Sequence, residues 1–249
     1  MRMAHSILKS LVIIVLSTLL TQCLSYDSRH HQYQNSQKAI FEKVDNSKVQ
    51  SFVINPNKSH VVLKIYKQGK LANFGHNHVI TVKGLQGIFY LNKQNEKSMA
   101  KMQFSVADLV VDDANERKLA GQDFDKLVSD TDKEATRNNL LGEKQLKANK
   151  FPIVELEVNH LTAEISDKKV QFEQGKNFAI EAQLRIRMLG EDYQQMIKSK
   201  VTLDGSHLKV QGDFVLNQTD VGIIPFSLFS GAIAVVDAVK IEFEIEAEK

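Results

Sequence analysis

His76 and His78, in the run Gly75-His76-Asn77-His78, are the residues whose type and spacing first suggest chemistry. Side chains alternate along an extended strand, so two histidines two apart share one face, where a divalent ion could bridge them. Zinc or copper takes three or four ligands, and His60 or His160 would have to approach through the fold to complete a metal site. Two other readings stand beside the metal. The pair could hydrogen-bond the polar head group of a ligand, or Gly75 could turn the chain so that both rings satisfy nearby loop carbonyls. The loop reading asks least of the sequence, the head-group reading comes second and the metal third.

Other constellations that would imply catalysis are missing. The chain has no Gly-x-Ser-x-Gly elbow, no His-Glu-x-x-His and no glycine-rich phosphate loop. No reaction and no cofactor are expected. The single cysteine, Cys23, follows a cationic start (Arg2, Lys9) and the apolar run Leu11 to Leu20. That run is too short to cross a bilayer comfortably and has the flanks of an export signal. Cys23 stands where a bacterial lipoprotein signal places the cysteine that becomes the lipidated first residue. Gln22 occupies a position where a small residue is usual, so an ordinary cleaved signal that discards Cys23 is the alternative. With one cysteine no intrachain disulfide can form, and the fold must hold by packing.

Charge excludes a further class. Of 32 Lys and Arg, only Arg2 and Lys9 lie in residues 1–23, and the rest of the chain balances its 30 acidic residues. That balance gives no electrostatic case for nucleic-acid binding, nor for peripheral attachment to anionic lipid by charge alone. Residues 24–50 are polar and read as a flexible tether, with His30 and His31 as solvated linker residues.

From Ser51 onward the pattern is that of strands. The clearest is at the C-terminus, where Val239, Ile241, Phe243, Ile245 and Ala247 alternate with Lys240, Glu242, Glu244, Glu246 and Glu248. One face is apolar and the other wet, as in an antiparallel sheet or barrel with one apolar interior. Similar alternation predicts strands around 51–55, 60–68, 78–91, 99–111, 152–161, 177–189, 193–203, 206–217 and 238–247. Turn signals such as Asn55-Pro56-Asn57, Gly190-Glu191-Asp192 and Asp204-Gly205-Ser206 separate them. Residues 113–149 are charged and lack alternation. Asp130-Thr131-Asp132 offers an N-cap, and Leu140, Leu141 and Leu146 suggest an apolar helical stripe, so two or three short helices are expected to cover one mouth of a barrel.

The C-terminal run Gly212-x-Phe214-x-Leu216-x-x-x-Asp220-Val221-Gly222-Ile223-x-Pro225, followed by Asp237 and the last alternating strand, resembles the YceI-like domain. Arg117 and Phe124 resemble that family's helical crossing after the fourth strand, and Phe151-Pro152-Ile153-Val154 its central strand. Val221 stands where the family usually has Phe. Gly75-His76-Asn77-His78 resembles a Gly-His-Asp-His motif found in a subset of the family, with Asn77 for Asp. The resemblance covers about residues 51–249 and implies an all-β, antiparallel, lipocalin-like barrel of about eight strands that binds isoprenoid or other long-chain lipid.

A barrel of that size is either filled by its own side chains or holds one small ligand. The chain has no Trp to fill the interior. Phe104, Leu156, Val158, Leu184, Ile186, Phe214 and Phe243 are the expected inward positions and ligand wall. The connection Gly222 to Ala234 is unusually apolar for a loop. It could pack across the closed end of the barrel, or Phe226, Leu228 and Phe229 could form a ligand portal or partner surface. The expected organisation is a signal over 1–23 with lipidation at Cys23, a tether over 24–50, and a barrel over 51–249 with a helical insertion at about 113–149. The expected function is an exported, non-catalytic protein that sequesters a hydrophobic isoprenoid or similar amphiphile while an N-terminal lipid anchor holds it to the membrane. The alternative is a periplasmic metal- or stress-related binding protein using His76 and His78.

Overall fold

Alternation of apolar and polar residues carries through the whole domain as paired strands. The computed structural model describes residues 49–92, 98–163 and 172–249. The signal, Cys23 and all but the last two residues of the tether lie outside these. In chain order the strands are β1 (Val49–Ile54), β2 (His60–Ile65), β3 (Lys67–Gln68), β4 (His78–Val82), β5 (Gln86–Asn92), β6 (Met99–Ser105) and β7 (Leu109–Val111). They continue as β8 (Ile153–Ala163), β9 (Lys176–Met188), β10 (Glu191–Asp204), β11 (His207–Asn217), β12 (Ser227–Leu228), β13 (Ile233–Val235) and β14 (Ala238–Glu248). The first strand thus begins two residues before the expected barrel boundary.

The main sheet runs β1-β5-β6-β8-β9-β10-β11-β14 and closes on itself, because β14 pairs back with β1 through Ile54↔Ala247 and Val53↔Glu248. Every pairing is antiparallel. Three staves of this barrel are each broken in two. β1 and β2 follow the same edge of β14 in succession, separated by the turn at Asn55 to Ser59. β4 precedes β5 across Lys83-Gly84-Leu85, and β6 precedes β7 across a 3-10 turn at Val106–Asp108. β2, β4 and β7 pair with one another, so the three broken staves bend together at one end. Sequence alternation predicts 60–68, 78–91 and 99–111 as continuous strands, and the structure corrects each. Gly84 takes a left-handed φ of 66°, and the Ser105 side chain caps the 3-10 turn by accepting from Ala107 N–H.

On β14 the apolar set faces in, with Val239, Ile241, Ile245 and Ala247 buried. The acidic set faces out and pairs with lysines, Glu242 with Lys64 on β2 and Lys240 on its own strand, Glu244 with Lys209 on β11, and Glu248 with Lys58 in the turn after β1. Such exposed pairs add little stability each but fix which face is wet. A charged exterior and an apolar interior are the reverse of a membrane-spanning barrel. The longest hairpin, β9–β10, turns on Leu189-Gly190, both at positive φ (55° and 87°), the backbone of a two-residue primed turn. The turn therefore sits one residue earlier than Gly190-Glu191-Asp192.

The 112–152 connection contains two helices. Ala114–Ala120 is capped by the Asp113 side chain, which accepts from Asn115 N–H at 2.9 Å, and Asp130–Leu141 is capped by Ser129. The first helix and the following turn pack on the outside of the wall. Phe124, 1% exposed, meets Tyr66 edge-on with ring centroids 5.4 Å apart and closes a small outer core with Val62 and Val79. The second helix and the turn after it bring Leu140, Gln145 and Leu146 to one end of the barrel interior. This is the cover expected from the sequence.

Candidate functional site: an apolar lumen beside a buried ionic cluster

Inward-facing residues do not fill the barrel. They enclose a cavity of about 210 Å³, larger than the roughly 150 Å³ that suffices for a benzene-sized guest. Phe104, Leu156, Val158, Leu184, Ile186, Phe214 and Phe243 all lie on its wall. Small residues at inward positions help make the space: Ala182 on β9 and Ser199 on β10. Gly212 pairs directly with Phe243, and a Cβ there would fall 2.8 Å from Phe243 Cζ. The missing side chain lets the Phe243 ring lie over the backbone, 6.2 Å from Phe214.

Only three polar side chains are on the described wall: Gln145, Ser199 and Gln218. Two belong to the covered end and are bonded to backbone. Gln145 Nε2 donates to Ile224 O at 2.9 Å, tying the helical insertion to the β11–β14 connection. Gln218 Nε2 donates to Val236 O at 2.9 Å. Asp237 completes this corner by accepting from Thr219 Oγ1 at 2.6 Å and Thr219 N–H at 3.0 Å, bonds that hold its carboxyl below the usual range. The aspartate preceding the last strand is thus a clip that seats the 3-10 turn Gln218–Val221 against the lumen.

The other nominated residues lie off the wall. Phe226 is half-buried beside β13, its carbonyl accepting from Val235 N–H, and Phe229 is 75% exposed. From the same connection Val221 and Ile223 face inward instead. His76 and His78 sit outside the lumen with ring centroids 6.2 Å apart. Neither proposed third ligand joins them. His60 Nε2 bonds Glu116 at 2.6 Å, and His160 lies exposed at a bulge in β8 with φ of 51°. No group of three or more metal-ligating side chains occurs among the described residues.

His78 belongs to an ionic cluster that sequence reasoning missed. Asp112, fully buried and left-handed (φ 52°), accepts from His78 Nδ1 at 2.6 Å, Arg117 Nη1 at 2.6 Å and Val79 N–H at 2.9 Å. Burial alone would push its carboxyl up, but the bonds from His78, Val79 and Arg117 outweigh that and hold it below its ordinary value. Arg117 also donates to Asn77 O and Lys126 O, both at 2.7 Å. Asn77 takes Lys67 N–H on Oδ1 and gives Nδ2 to Asp123 O. The Gly-His-Asn-His segment is therefore a junction pinning the insertion to the barrel wall. Burial, with Lys126 and His78 nearby, pushes the His76 imidazole down. The sequence shows only that Asp112 directly follows the apolar strand residues Leu109 to Val111, and its partners are close only in space.

No family model matches the sequence, and no curated protein does. Solved structures do resemble it. Burkholderia cenocepacia BcnA is 13% identical over 78% of this chain and 99% of its own, with a TM-score of 0.51. A polyisoprenoid binding domain from Saccharophagus degradans, implicated in plant cell wall breakdown, is 9% identical over 79% of this chain and 97% of its own, also with a TM-score of 0.51. A YceI protein of Campylobacter jejuni is 10% identical over 68% of this chain and 84% of its own, with a TM-score of 0.44. The closed antiparallel barrel of this chain shares its fold with BcnA and the Saccharophagus domain, and it is the lipocalin-like architecture that its YceI-like C-terminal run implies.

Proposed function

We propose that this barrel is a binding protein that holds the hydrocarbon part of a long-chain amphiphile, of isoprenoid or fatty type, in its lumen. The observation that carries the reading is the hollow itself: about 210 Å³ enclosed almost wholly by apolar side chains. Protein cores are normally packed to crystal density, and each unfilled volume costs stability. Burying hydrocarbon there is worth about 25 cal/mol per Å². The Saccharophagus domain of the same fold, a polyisoprenoid binding domain, supports the isoprenoid class as the first to test. The wall offers almost no polar chemistry, and the reading is one of sequestration without catalysis.

Export by residues 1–23 and lipidation at Cys23 belong to the same proposal. They would hold the barrel on a membrane surface, at the source of an insoluble cargo. Prenols and fatty amides of increasing length, titrated against the protein carrying a fluorescent fatty-acid probe, test the binding. Displacement should strengthen about fourfold per added methylene, following ~0.8 kcal/mol each, until the lumen is full. Failure of every member to displace the probe, or an affinity independent of chain length, ends the proposal.

A further inference from the structure

We infer that the covered end of the barrel carries a membrane-docking face, whose occupant is the interfacial layer of a phospholipid bilayer. Exposed large apolar side chains gather there: Leu71 (43%), Phe74 (77%), Leu127 (92%), Ile224 (76%), Leu228 (45%) and Phe229 (75%). Hydrogen bonds bring the three segments that carry them together. Leu71 N–H donates to Ala232 O at 2.8 Å, and β3 pairs with β13, which pairs with β12. Lys126 Nζ donates to Asn73 O at 3.1 Å, placing Leu127 beside the Phe74 turn. Exposed apolar groups gathered on linked segments in this way mark an interaction site.

Two further observations choose a bilayer. Phe229 is held at φ 50° and Ser230 at φ 53°, a strained backbone for a bulky residue that nevertheless presents its ring to solvent. Beside the Phe74 turn lie the ammonium groups of Lys67 and Lys126, which both bond the Gly75 carbonyl, and the exposed Lys70 follows on the same segment. Asp123 and Asp125, exposed on the Lys126 segment, temper that charge, so apolar insertion and lysine–phosphate contact share the attraction. Aromatic rings flanked by lysines suit the layer where acyl chains meet phosphates. The position also makes sense of the lumen. Ile223 faces the cavity and Ile224, the next residue, faces out, so one short loop both caps the hollow and meets the membrane. A cargo with negligible solubility must pass directly between bilayer and cavity, and in this respect the inference rests on the proposed function.

The chain has no native Trp, so Phe74→Trp and Phe229→Trp, each in the full chain, report locally. Met196→Trp, at a 57% exposed position on β10, is the control. Each is mixed with vesicles of phosphatidylcholine and phosphatidylglycerol bearing brominated acyl chains. Docking predicts a blue shift and loss of most emission at positions 74 and 229, with emission kept at 196. An N-terminal segment holding the chain on the vesicle cannot mimic that difference. Unquenched emission at 74 and 229, or equal quenching at all three positions, overturns the inference. The same variants are titrated with the fatty-acid probe. Probe binding without quenching removes the docking face alone, and quenching without probe binding removes the lumen reading alone.

Discussion

Ser199 is the place to test whether the hollow is a binding site. Its side chain faces the lumen beside Ile180 and Gly212, and it is one of the wall's three polar groups. Ser199→Phe adds a benzene-sized ring, and a cavity of roughly 150 Å³ suffices for such a ring. It would occupy about seven-tenths of the 210 Å³ available. A guest chain displaced by even four methylenes loses about 3 kcal/mol at ~0.8 kcal/mol each, a rise in Kd of about a hundredfold or more. Stability should move differently. Filling that volume returns up to about 3 to 4 kcal/mol at ~24 cal/mol per Å³, against ~1 to 3 kcal/mol of overpacking strain. The variant should therefore be no less stable than its parent in urea unfolding. Ser199→Ala and Ser199→Leu complete a series in which probe affinity falls as side-chain volume rises. An unchanged Kd in Ser199→Phe, or binding and stability lost together in both Ser199→Leu and Ser199→Phe, would show position 199 to be packed core and refute the reasoning.

Asp112→Asn should destabilise the fold by about 3 to 5 kcal/mol in urea, because Arg117 stays buried without its carboxylate. The lowered Asp112 pKa also sets a pH dependence. Its stabilisation is present above the ordinary carboxylate range and is lost as pH falls through the depressed folded value, so acid titration of stability should be steeper in the parent than in Asp112→Asn. Gly212→Ala should lower stability by about 1 to 3 kcal/mol, since its Cβ would sit 2.6 Å from Lys198 O and 2.8 Å from Phe243 Cζ. Thermal unfolding indistinguishable from the parent would contradict the close approach. His76→Ala/His78→Ala should carry the same zinc and copper as the parent by elemental analysis, and metal lost only from the variant would revive the metal reading.

Much of this architecture is legible in the sequence because strand alternation is a direct imprint of one buried face. β14 and β9 show it plainly, and Phe104, Leu156 and Phe214 are placed on the wall by parity alone. The break between β1 and β2 is announced by Asn55-Pro56-Asn57, but the other two staves keep their alternation on both sides of the break, and only Gly84 and Ser105 hint at the interruption. Hollow and filled barrels share one pattern. The distinction depends on small residues such as Ala182 and Ser199 lying near one another on paired strands, which requires the register. Phe226 and Phe229 look like wall residues by hydrophobicity, yet left-handed backbone at Phe229 and Ser230 turns this segment outward. The cluster of Asp112, His78 and Arg117 joins residues up to 39 positions apart, and no local spacing announces it.

Native mass spectrometry of the protein, purified without detergent from cells, tests the central claim most directly. A guest in the lumen predicts a folded species heavier than the chain by the mass of one hydrophobic molecule, released by organic solvent and absent from Ser199→Phe. A single species at the bare chain mass that takes up no added prenol or fatty amide would contradict it.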